Sequence, residues 1–71
     1  MSGPEHPDTL TSRDNLAQAL AAMGRYDEAE AENRAVLEAF TRVLGSEHPY
    51  TLSSRENLED VLNRKHKPPT P

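Results

Sequence analysis

Two Glu-His-Pro triplets, Glu5-His6-Pro7 and Glu47-His48-Pro49, hold the side chains of this chain best suited to a metal, since imidazole nitrogens and carboxylates are common ligands. Ser12 or Ser54 with His6 and Asp8 supplies the letters of a nucleophile, a base and an acid. Neither reading has the context its chemistry needs. The triplets lie 42 residues apart, and a linker that shapes a turn and starts a helix accounts for both. No nucleophile elbow or glycine-rich loop accompanies the serines, and hydroxyl residues early in a helix more often serve capping. The expectation is no enzyme, with no catalytic, cofactor-binding or metal-binding residue.

The triplets belong to a longer phrase that occurs twice. Residues 3–16 read GPEHPDTLTSRDNL and residues 45–58 read GSEHPYTLSSRENL. Three helices fit around these copies. The spacing predicts the first over 7–23, with Pro7 at its first position and Asp8 at the positive end of its dipole. Leu10, Arg13, Leu16, Ala17, Leu20 and Met23 fall on one side of it, and Gly24 stands where a left-handed cap ends a helix. A second helix is expected over 26–44, carrying Tyr26, Ala29, Asn33, Val36, Leu37, Phe40, Val43 and Leu44 three or four apart. Acidic residues open it, Arg42 sits near its end, and Glu30–Arg34 and Glu38–Arg42 are favourable i,i+4 pairs. Gly45 closes it. A third helix, 49–64, carries Leu52, Leu58, Val61 and Leu62. No stretch alternates with period two, so no strand is expected. Residues 65–71 form a basic, proline-rich segment expected to be flexible.

Composition narrows the function. Net charge is −4, but twelve acidic residues against five arginines up to residue 63 make the body more acidic than that. Nucleic acid prefers basic patches, so no nucleic-acid partner is expected. No apolar run is long enough to span a membrane, no secretion signal is visible, and the absence of cysteine mildly favours the cytoplasm. A chain of 71 residues holds one small domain, here 1–64.

The order helix A, helix B, helix A′ is the mark of an α-solenoid. Asn15-Leu16-Ala17, Leu20 and Gly24-Arg25-Tyr26-Asp27-Glu28-Ala29 resemble the core of a tetratricopeptide repeat. The 42-residue period and the Gly-x-Glu-His-Pro-x-Thr-Leu linker are similar to the kinesin-light-chain type and to related bacterial arrays. The resemblance implies an all-α fragment of a solenoid: one helix pair plus a C-terminal capping helix, about one and a half repeats. It also implies a non-catalytic module that binds proteins or peptides in a groove lined by the A helices. Carried over by position, the groove residues are Thr11, Asp14, Asn15 and Gln18, with Ala21, on the first helix. On the third they are Ser53, Glu56, Asn57, Asp60 and Asn63. Their acidic character points to a basic, extended peptide, and the segment from Arg64 to Pro69 is one such sequence within the chain itself.

The copies also differ. Glu59 replaces the small Ala17, no second helix B follows, and Asn33 stands where the family usually has a large apolar residue. Arg13 and Arg55 interrupt apolar faces, which favours stems packed on the core with heads paired to acids. An array this short leaves edges uncovered, since about three repeats usually make a stable stack. A homo-oligomer, most simply a dimer, is therefore expected, with Asn33, Val36, Phe40, Leu58 and Leu62 at the contact. The alternatives are a structural assembly unit without a peptide ligand, or the end of a longer array.

Overall fold

The computed structural model describes residues 6–66, which form three α-helices with no strand among them: α1 Pro7–Ala22, α2 Tyr26–Leu44 and α3 Pro49–His66. The fold is all-α, as expected, and every helix boundary lies within two residues of its expected position. Lys67, Pro68 and Pro69 of the expected tail lie outside the described residues. Lys65 and His66, placed in that tail, are helical instead.

Each repeated His-Pro starts a helix in the same way. The His6 Nδ1 accepts a hydrogen bond from the Asp8 backbone N–H at 3.1 Å, and the His48 Nδ1 accepts one from the Tyr50 N–H at 3.0 Å. An imidazole thus does the work usually given to Ser or Asp at a helix start. At the other end of α1 the Gly24 N–H donates to the Ala21 carbonyl and the Arg25 N–H to the Leu20 carbonyl. That is the Schellman arrangement, which needs the positive φ of 81° that Gly24 adopts.

α1 and α3 both pack along α2 and meet each other only narrowly. Leu10 clusters with Val36, Ala39 and Phe40 at one end, while Ala21, Ala29 and Val61 cluster at the other. α1 and α3 therefore run parallel to each other and antiparallel to α2. Arg34 reaches Glu30 at 2.9 Å and Arg42 reaches Glu38 at 3.4 Å. Arg13 lies along the core edge with its Nε 2.6 Å from the Glu32 carboxylate, the structural role expected for it.

The two copies of the phrase use opposite faces. α1 buries Leu10, Asp14, Ala17 and Ala21. α3 buries Thr51, Ser54, Leu58 and Val61, the counterparts of Thr9, Ser12, Leu16 and Ala19. Leu16 is accordingly 50% exposed while its copy Leu58 is 7% exposed. The apolar face expected on α1 is thus rotated: Leu16 and Met23 face outward and Asp14 turns in.

Lys65 closes the far end. Its Nζ lies 2.8 Å from Asp27 and 2.9 Å from Glu30, tying the last turn of α3 to the first turns of α2. Hydrogen bonding from Lys65, then from Arg34, holds the Glu30 carboxyl below its ordinary 4.5. Bonding to Asp27, then to Glu30, raises Lys65 above 10.5. A depressed carboxyl stabilises the fold above its ordinary pKa and loses that contribution as pH falls through its folded value. A raised ammonium stabilises below its ordinary pKa and loses it as pH climbs through the folded one. The clamp is therefore complete between about pH 4.5 and 10.5. We expect Lys65→Met to lower the melting temperature at neutral pH and to flatten its fall on acidification. Circular dichroism melts across pH check this, and an acid limb as steep as in the parent chain would refute the clamp.

Candidate functional site

Parallel packing of α1 and α3 on α2 leaves a groove between their outer edges, and a side-chain hydrogen bond crosses it. The Asn57 Nδ2 donates to the Asp14 Oδ2 at 2.8 Å. On one side of that bond lies a pocket of about 180 Å³ lined by Thr11, Asp14, Phe40, Tyr50 and Ser53. On the other lies one of about 240 Å³ whose walls include Gln18, Ala21, Asn57, Asp60 and Arg64. Seven of the ten residues assigned to the groove from the sequence thus line one or other pocket: Thr11, Asp14 and Ser53 the first, Gln18, Ala21, Asn57 and Asp60 the second. Asn15, Glu56 and Asn63 are exposed on the same two helices and line neither.

Asp14 is the unusual member. It is only 9% exposed, and its Oδ1 is buried with no hydrogen-bond partner. Burial pushes its carboxyl above the ordinary 3.8, and the bond from Asn57 opposes that shift only in part. An unpaired buried carboxylate oxygen costs stability, because the water it gave up has not been replaced.

Sequence reasoning missed two features of this groove. Phe40 and Tyr50 line the first pocket with ring centroids 5.9 Å apart and planes tilted by 57°. They come from different helices, and only the tertiary fold brings them together. Arg64 enters the second pocket and reaches the Asp60 carboxylate at 3.2 Å, a contact its i,i+4 spacing could have signalled. That end of the groove is therefore less acidic than the sequence suggests.

The contact residues expected for self-association need correcting. Asn33, Val36, Phe40 and Leu58 are buried between the chain's own helices, and Leu62 is half-buried. α2 carries the first three, and it is covered on both sides. Among the described residues, the large apolar side chains left at the surface are Leu16, Met23, Val43, Tyr50 and Leu52. The Arg64–Lys65 part of the basic segment is engaged within the chain through Asp60, Asp27 and Glu30. The triad letters stay apart in role as well: His6 caps α1, Ser12 is exposed and Ser54 is fully buried.

Comparison with known proteins gives one match. Residues 9–50 match the family model described as tetratricopeptide repeat, which covers more than half of the chain. No curated protein matches the chain, and no solved structure does.

Proposed function

The chain belongs to the tetratricopeptide repeat family, and from that premise we propose a non-catalytic protein-interaction module that takes a basic, extended peptide along the α1–α3 groove. The 42-residue step between the two phrases supports a kinesin-light-chain-like spacing within the family, and a cysteine-free chain suits the cytoplasm. One observation carries the peptide reading: the groove holds a buried carboxylate with an unpartnered oxygen, Asp14, with Asp60 farther along it and Glu56 exposed on the same helix as Asp60. Asn15, exposed on α1, can bond a peptide backbone through both its donor and its acceptor. Exposed charge pairs contribute less than about 1 kcal/mol each and are screened over about 10 Å at 0.1 M salt. Binding is therefore expected at micromolar affinity or weaker, and it should fall with salt. Titrating a basic and an acidic peptide of equal length at two salt concentrations tests this, with Glu56→Lys/Asp60→Lys as the control. Better binding of the acidic peptide, or basic-peptide binding untouched by the double substitution, would overturn the reading.

A second reading rests on the unequal faces of the two copies. Ser12, Leu16 and Ala19 are exposed on α1, although their counterparts on α3 are buried against α2. The matching front face of α3 is polar, with Glu56, Glu59 and Asn63. Head-to-tail stacking of copies is thus blocked at α3, while the α1 face can meet its equivalent in a second copy about a two-fold axis. We expect sedimentation equilibrium to give twice the 7.9 kDa chain mass at high micromolar concentration, and Leu16→Glu to restore the monomer. A parent chain that stays monomeric at that concentration is not a dimer.

A further inference from the structure

Asp14 forms part of the wall of the first pocket, its buried Oδ1 has no hydrogen-bond partner in the chain, and the other walls match one kind of ligand. We propose that the pocket of Thr11, Asp14, Tyr50 and Ser53 receives the ε-ammonium group of a lysine side chain, contributed by the extended peptide on whose binding this inference rests.

Three observations select lysine. First, the Asp14 Oδ2 is taken by Asn57 at 2.8 Å, so only Oδ1 is left to accept. A guanidinium binds a carboxylate best through both oxygens at once, whereas an ammonium is a compact point charge that one oxygen suffices to engage. Second, an ammonium has three N–H donors. Oδ1 meets one of them, and the hydroxyls of Thr11 and Ser53, lining the same pocket, are available for the other two. Third, the remaining walls are aromatic. Phe40 is buried beneath the half-exposed Tyr50, their centroids 5.9 Å apart, so the open side of the Tyr50 ring can cover the apolar stem of a lysine and attract its charge.

Asp14 is poised for such a ligand. Burial holds its carboxyl above the ordinary value, and an ammonium on Oδ1 supplies the missing partner. Its counterpart in the second copy, Glu56, is exposed, so the chain builds this pocket at only one of its two repeated positions.

The test uses the whole chain and three peptides of one length and sequence, differing only in whether the basic positions are lysine, arginine or acetyl-lysine. Amide shifts in NMR spectra locate binding and give affinities. The lysine peptide is expected to move the Thr11, Asp14, Tyr50 and Ser53 amides. It should bind several-fold tighter than the arginine peptide and at least tenfold tighter than the acetylated one. Asp14→Asn keeps an acceptor for Asn57 and should reduce the lysine peptide to the level of the acetylated one. Tyr50→Ser, at an exposed position, should weaken lysine binding severalfold and carries the comparison if Asp14→Asn loses helicity. Equal binding of lysine and arginine peptides, or lysine binding unchanged in both variants, would overturn the pocket while leaving the groove reading intact. If no basic peptide binds even at low salt, the groove reading fails and the pocket fails with it.

Discussion

Phe40→Ala is expected to leave the chain largely unfolded at room temperature. Phe40 is the largest fully buried side chain, and it joins Leu10 of α1, Val36 and Ala39 of α2 and the ring of Tyr50 on α3. Truncating a buried phenylalanine costs about 3–5 kcal/mol, and a domain of this size rarely has more than about 3–5 kcal/mol in total. The cluster has little else to fall back on, because the other end of the core is built around two alanines and a valine. Far-UV circular dichroism of the variant should show the helical signal mostly lost, and Phe40→Leu should recover much of it. A cooperative melt within a few degrees of the parent would mean that this ring does not anchor the three helices. The same residue floors the pocket assigned to lysine, so core and site share one side chain. A ligand in that pocket should stabilise the fold by mass action.

The helices and their order were legible because periodicity, glycine punctuation and the internal copy all pointed the same way. Which face of a repeated helix meets which neighbour was not. Leu16 and Leu58 occupy equivalent positions in nearly identical phrases, yet one faces out and the other faces α2. Helical spacing reports that a face is apolar; it cannot report which neighbour covers it. Asp14 was assigned to the groove, but its burial was missed for a related reason. α1 turns toward α2 and α3 together, so its buried strip shifts by about one residue and takes a carboxylate inward. Most of the groove could be read from helix position alone. The aromatic wall could not, because Phe40 and Tyr50 meet only through tertiary packing.

Asn33→Leu should raise stability by roughly 2 kcal/mol, an amount set by the desolvated groups it removes. That corresponds to about 10 °C in melting temperature for a chain this small. Asn33 is fully buried in the middle of α2, and neither its amide oxygen nor its amide nitrogen has a hydrogen-bond partner. It separates the two apolar clusters, Val36 and Phe40 on one side and Ala29 on the other. Leucine has the same branching and would join the clusters, at the cost of slightly larger terminal groups. The gain should come with a loss of uniqueness. α2 lies between two helices that carry nearly the same phrase, so an all-apolar α2 has little to distinguish the face meant for α1 from the face meant for α3. A single buried amide can fix register in such a setting, as it does in coiled coils. The variant should therefore melt at higher temperature yet show extra or broadened amide peaks in its NMR spectrum. If Asn33→Leu and the smaller Asn33→Val both lower the melting temperature, the amide stabilises the fold outright. If both raise it and the spectra stay single and sharp, Asn33 plays no part in choosing the packing.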